Sequence, residues 1–100
     1  MASTTLGSVL SEENAAAIRA LGERYRVRNI RAFGSFARGE AGPESDLDLL
    51  VEYVPGRGGF AFIDFCQQVE ELLQRKVDVV TEKSLHPIIR EKVLAQALPV

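Results

Sequence analysis

Apolar residues recur along this chain with two periods, and the switches between them mark its elements. Over residues 12–25, Ala15, Ile18, Leu21, Gly22 and Tyr25 fall at helical spacing, with Arg19, Glu23 and Arg24 on the other face. Ser11 stands in front of them as an N-cap, and Glu12 and Glu13 suit the positive end of a helix. Residues 28–33 change to alternation, with Ile30 and Ala32 on one side, and end at Gly34. A short helix from Ser35 to about Gly39 follows, and then a loop rich in Gly, Pro and Ser that runs to Ser45.

Residues 46–54 read as a second strand, and residues 55–59 as a glycine-rich turn that carries Arg57. Residues 60–75 return to helical spacing: Phe62, Cys66, Val69 and Leu73 form a stripe flanked by Phe65 and Leu72. Phe60, Phe62 and Phe65 together exceed what one helix face needs, so Phe60 or another exposed one is expected at an interface. Residues 77–81 form a short third strand. Ser84 or His86 then caps a last helix beginning near Pro87, with Ile89, Val93 and Ala97 on its inner face.

The order is α-β-α-β-α-β-α. It predicts an α/β (α+β) fold: one small three-stranded mixed sheet flanked by about four helices. A single domain over residues 1–100 is expected, with residues 1–9 disordered.

Composition narrows the function more by exclusion than by suggestion. The 100 residues carry 12 Lys and Arg against 14 Asp and Glu, a formal charge of −2, so a general grip on nucleic-acid phosphates is not expected. One Cys excludes an internal disulfide, and one His beside it makes a Cys/His zinc site implausible. There is no signal-peptide pattern and no apolar run long enough to span a membrane, so the cytoplasm is the expected location.

The chemistry is concentrated in two short stretches. Gly34 sits where a strand turns into a helix, a place where missing Cβ lets a ligand approach the backbone. The following helix offers free N–H groups, Ser35 a hydroxyl and Arg38 a cation, which together suit a phosphate. After a gap of ten residues from Ser35 come Asp46 and Asp48, one residue apart on a predicted strand and so on one face. Carboxylates about 6–7 Å apart along a strand repel one another unless a cation lies between them. Mg²⁺ suits such a pair, being held commonly by one or two carboxylates and substrate phosphates. Asp78, the polar residue of the third strand, could complete a three-carboxylate site for two ions. Ser45 either closes the loop or reaches a nucleotide. His86 and Cys66 read as a helix cap and a core residue.

The apolar-Gly34-Ser35 pattern, the gap, and Asp46-Leu47-Asp48-Leu49 resemble the signature of the nucleotidyltransferase superfamily related to DNA polymerase beta. More narrowly, Gly34-Ser35-Phe36-Ala37-Arg38-Gly39 with Ser45–Val51, and Asp78-Val79-Val80 with Leu85–Arg90, resemble its minimal, MNT-type members over roughly residues 10–98. The resemblance implies the nucleotidyltransferase fold, with Asp46, Asp48 and Asp78 as catalytic metal ligands for two Mg²⁺ ions. It implies Gly34, Ser35, Arg38 and Ser45 as the nucleotide-binding set and ATP as substrate, with Asp78 as the base.

Many such proteins are antitoxins paired with a HEPN-type toxin. That setting implies transfer of AMP to a toxin tyrosine within a hetero-oligomer. Two alternatives stand beside it: neutralisation of a toxin by binding alone, and transfer to a small molecule of the aminoglycoside type. Relatives with small-molecule or RNA acceptors carry extra domains. Only a helix's length of chain follows Asp78, so a partner protein or a second subunit is expected to supply the acceptor surface.

Overall fold

Ser11 caps the first helix, α1 (Glu12–Tyr25), by accepting the Asn14 backbone N–H on Oγ at 3.2 Å. The chain leaves α1 through Arg26 in the left-handed region, at φ 66°. It then runs through β1 (Val27–Phe33), α2 (Ser35–Arg38), β2 (Leu47–Tyr53), α3 (Phe60–Leu73), β3 (Val77–Thr81), α4 (Pro87–Gln96) and β4 (Leu98–Pro99). Single 3-10 turns occupy Ser8–Leu10 and Glu82–Ser84.

The computed structural model describes residues 8–42, 44–54 and 60–100, with Ser8 and Phe60 described for backbone alone. The glycine-rich turn with Arg57 and the side chain of Phe60 lie outside the described residues, as do residues 1–7. Residues 8–10 depart from the disorder expected over 1–9: they form a turn that buries Leu10.

The sheet order is β3-β2-β1-β4. β1 is antiparallel to β2 and to β4, whereas β2 and β3 are parallel, with α3 as the crossover. The three expected strands and four helices are present. The two-residue β4 adds a fourth strand that is too short to show alternation.

One strand boundary has a physical cause that a simple period-two reading misses. Val27 and Ile30 are both buried although three residues apart. Arg28 pairs with Glu52 and Arg31 with Leu50, so β1 holds one residue more than β2 over that interval. This is a β-bulge, with Asn29 at φ 51°. Glu52 fastens it, accepting from Arg28 Nε at 3.2 Å and Asn29 Nδ2 at 3.0 Å. These contacts, the Asn29 amide foremost, hold the Glu52 carboxyl below its ordinary pKa.

The sheet has a fully covered face and a partly covered one. On the first, Ile30, Ala32, Leu47, Leu49, Val51 and Val77 pack against Ile18 of α1 and Phe65 and Val69 of α3. On the second, Leu50 meets Leu85 and Val93, with Phe33, Val80 and Ala97 alongside. α4 therefore covers only part of the second face. Ile89 was expected on its inner side but is 45% exposed. Leu85, just ahead of the helix, is the buried residue that packs there with Leu50. His86 Nδ1 accepts the Ile88 N–H at 3.1 Å and Pro87 occupies the first turn, as expected of the cap.

Cys66 is half-buried rather than fully buried, its Sγ 3.4 Å from the Val77 carbonyl. Burial first, then the nearby Glu70 and Asp78 charges, pushes its thiol pKa up, away from reactivity. Among the described residues no helix is long and apolar enough to cross a membrane.

Gly22 sets how closely α1 approaches β1. A Cβ there would stand 2.5 Å from the Val27 carbonyl oxygen and 2.9 Å from Ile30 Cδ1. Helix propensity alone favours Gly22→Ala by about 1 kcal/mol. The backbone clash reverses the sign, and we expect a net loss of about 1–3 kcal/mol in urea unfolding. A stabilised Gly22→Ala variant would contradict the close packing.

Candidate active site

Gly34 joins β1 to α2 with φ 74° and ψ −146°, a backbone region that is essentially closed to other residues. A Cβ at this position would lie 2.5 Å from Asp48 Oδ2. The carboxylate of Asp48 thus rests in the space a side chain would fill. Strand register produces the approach, since Phe33 at the end of β1 pairs with Asp48 on β2. In the four-residue α2, the first turn closes through a bond from Arg38 N to Gly34 O, at 3.0 Å. The N–H groups of Ser35, Phe36 and Ala37 precede it and have no helical acceptor. So short a helix offers oriented donors rather than a sizeable dipole.

Parallel pairing sets Asp48 beside Asp78 in register. By alternation both share the second sheet face with Leu50 and Val80, beyond the part packed by Leu85 and Val93. Asp48 is half-buried and Asp78 exposed. Asp46 was expected as the first residue of the strand. It instead lies one residue before β2 and is exposed, so strand alternation does not fix its direction. Its neighbour Leu47 donates from its backbone N to the Lys76 carbonyl at 3.0 Å, which brings the segment against the start of β3.

Burial, then Asp78, then Asp46 raises the Asp48 pKa, and the Arg38 charge opposes them. Asp48 thus senses acids on two other segments of the chain. Among the described residues no three His, Cys, Asp or Glu side chains form a ready-made metal cage. The arrangement is looser than a preformed three-carboxylate cluster. A half-buried carboxylate raised in pKa by that burial and by two neighbouring acids suits a divalent cation, and the openness suits Mg²⁺, which keeps positions for phosphate oxygens.

The other candidates divide. Ser35 begins α2 beside Asp48's resting place. Arg38 is exposed, and its Nε donates to Glu40 Oε1 at 3.0 Å, an ion pair at the rim. Ser45 Oγ accepts the Gly42 N–H at 2.8 Å, so its oxygen closes the loop. A residue that the sequence did not single out also enters the site's support: Arg75 Nη1 donates to the Ser45 carbonyl at 2.7 Å. It stands among Gln74 and Lys76 in a polar turn, where nothing in the sequence separates it from solvated charges. A shallow groove of about 550 Å³ between α1 and α3, lined by Ala17, Leu21 and Leu72 among others, lies in the helical layer over the opposite sheet face.

Comparison with known proteins points the same way as the geometry. The profile of a family described as "Nucleotidyltransferase domain" matches residues 15–98. A protein of Thermococcus cleftensis named protein adenylyltransferase MntA is 40% identical over 78 residues, 78% of this chain and 79% of the relative. A Methanocaldococcus jannaschii protein provisionally named a protein adenylyltransferase is 35% identical over 77 residues, 77% of this chain and 83% of the relative. A solved structure described provisionally as a minimal nucleotidyltransferase superposes with a TM-score of 0.79 at 40% identity, covering 89% of this chain and 91% of the other. The fold is also that of a Shewanella oneidensis complex described as a tri-AMPylated HEPN toxin with MNT antitoxin. There the TM-score is 0.63 at 21% identity, covering 88% of this chain and 69% of the other.

Two outcomes test this geometry. Gly34→Ala forces both a strained backbone and a clash with Asp48, so it should cost about 1–3 kcal/mol in unfolding experiments, and wild-type stability would refute the close approach. Asp48→Asn should have the opposite effect. The folded-state pKa of Asp48 is raised, so its ionised form destabilises the fold above that pKa. The cost is relieved as pH falls through the raised value towards the unfolded one. In EDTA at neutral pH, Asp48→Asn should therefore melt higher than wild type, and the gap should close on acidification. A gap that widened towards acid would be inconsistent with the assigned shift.

Proposed function

Because this chain belongs to the nucleotidyltransferase domain family, we propose that it transfers AMP from ATP to a hydroxyl of a partner protein. The acceptor is a tyrosine of a HEPN-type toxin, and the chain acts as that toxin's antitoxin in a cytoplasmic hetero-oligomer. The observation that carries the reading is the Asp48 carboxylate seated against Gly34 and paired in register with Asp78. It sets a glycine turn with free N–H groups beside an acidic pair, which supports this reading. The names of the relatives support protein adenylylation, at 35% and 40% identity. A further structure of the same fold, described as a toxin-antitoxin with AMP-PNP, is in keeping with an adenine nucleotide at 24% identity and a TM-score of 0.70.

In this reading the triphosphate lies along the Gly34–Ser35 turn, where the missing side chain lets it approach the backbone. The N–H groups at the start of α2 and the Ser35 hydroxyl donate to its oxygens. Asp46 and Asp48 would hold two Mg²⁺ ions, with Asp78 sharing one. Such ions, when bound, would supply charge stabilisation at the α-phosphate and departing pyrophosphate and ease deprotonation of the hydroxyl. Asp78, exposed beside Asp48, takes the proton of the attacking hydroxyl. The acceptor oxygen bonds to the α-phosphorus, the bond to the β-phosphate bridge breaks, and pyrophosphate leaves. Arg38, once drawn from Glu40, and Ser45 flank the nucleotide.

Incubation of the complex with ATP labelled at the α-phosphate and with Mg²⁺ should label the partner. Asp48→Ala should lower the rate on the order of a hundredfold or more, because metal-borne charge stabilisation is worth several kcal/mol. Equal labelling by the variant would refute the assignment. Toxin neutralisation by an Asp46→Ala/Asp48→Ala variant that transfers no label would show binding alone to be sufficient.

A further inference from the structure

Asp46 is the acid with the least regular support. It precedes β2, so no strand pairing of its own fixes it, yet residues on both sides of it are held from one place. Arg75 Nη1 donates to the Ser45 carbonyl at 2.7 Å, and the Lys76 carbonyl accepts the Leu47 N–H at 3.0 Å. Two consecutive residues at the entry to β3 thus grip the chain immediately before and immediately after Asp46. Ser45 is held from its other side as well, its N–H donating to the Gly42 carbonyl at 3.2 Å and its Oγ accepting from Gly42 N at 2.8 Å.

The same guanidinium reaches the phosphate-binding turn. Its central carbon lies over the Phe36 ring, 5.2 Å from the centroid, and Phe36 is buried at 4% exposure. Phe36 directly follows Ser35. Arg75 therefore contacts both halves of the signature, α2 through an aromatic face and the Asp46 segment through a carbonyl. Three residues later the chain carries Asp78. Arg75 Nε is buried without a hydrogen-bond partner among the described residues, an arrangement unlike that of a charge held out in solvent. A planar guanidinium can lie on a ring and donate in its own plane at once, whereas an ammonium offers only a point charge.

We infer that Arg75 is a positioning residue: by tying Ser45 to Phe36 it fixes where the Asp46 carboxylate stands for the metal–nucleotide complex. The inference rests on the proposed role of Asp46 as a metal ligand. In this role Arg75 acts through Ser45 and Phe36, not by contact with metal or nucleotide.

The test is binding rather than turnover. Mn²⁺ titrated into the full chain with AMP-PNP and followed by electron paramagnetic resonance gives the affinity directly. Arg75→Ala should weaken it about tenfold to a hundredfold, the range found when groups that orient metal ligands are removed. Added methylguanidinium should restore much of the loss. In an Asp46→Asn background, already weakened, Arg75→Ala should add little, because the residue acts through Asp46.

Wild-type affinity in a folded Arg75→Ala variant overturns the inference while leaving the role of Asp46 intact. So does a full additional loss on top of Asp46→Asn. Undiminished binding by Asp46→Asn alone overturns the ligand role of Asp46, and the inference with it. Should Arg75→Ala fail to fold, Arg75→Lys serves in its place: it keeps the charge but loses the planar contact, so it should bind at least a few-fold more weakly. Wild-type affinity there overturns the inference as well.

Discussion

The carboxylate of Asp48 occupies the volume that any side chain at Gly34 would need, and much of the rest follows from that contact. It requires glycine at the end of β1, because the turn's φ of 74° and the lack of space act together. It requires the antiparallel register that places Phe33 opposite Asp48. It also brings an anion against the start of a helix whose free N–H groups suit phosphate oxygens. Without a bridging cation, phosphate and carboxylate would repel each other. The contact therefore has the geometry of half a site that a cation and a nucleotide would complete.

The sheet supplies the other half by mixing strand directions. Antiparallel pairing carries the glycine turn to Asp48, and parallel pairing carries Asp78 to its other side in register. A crossover is needed for the parallel pair, and α3 serves as that crossover while burying Phe65 and Val69 against the covered face. Hydrophobic stabilisation is thus concentrated on the face away from the acids. The repulsion that raises the Asp48 pKa is carried by a scaffold whose core does not depend on those residues. Such a division lets a local cost persist at a functional position.

Most of this was legible from residue order, and the exceptions share a physical cause. Helix α1 and its Ser11 cap, α2, β3 and the Pro87 start of α4 follow from periodicity and capping chemistry, which are local. Gly34, Asp46, Asp48 and Asp78 were visible because the chemistry of their types and spacings is distinctive. What escaped depends on contacts made far along the chain. Val27 enters β1 because a bulge at Asn29 resets the alternation, and the bulge is fastened by Glu52 on another strand. Ile89 is exposed while Leu85, outside the helix, packs with Leu50. Asp46 falls outside the strand, and β4 forms only two residues against β1. Arg75 has no local signature, since its partners Ser45 and Phe36 lie thirty and more residues earlier.

These long-range dependences bear on how the acids divide their roles. Asp48 is held by its strand and by Gly34, so its position belongs to the sheet. Asp78 is held by β3 but exposed, which leaves its carboxylate open to an incoming group. Asp46 stands at a junction of loop and strand, where small shifts of Ser45 or Leu47 would move it. Asp48 is the half-buried acid, and Asp46 and Asp78 are the exposed ones. An ion held by Asp48 alone would have a fixed place, whereas one shared with Asp46 or Asp78 would depend on the loop and on what arrives. That gradient, from fixed to adjustable, suits a site in which nucleotide phosphates must supply the ligands the protein does not.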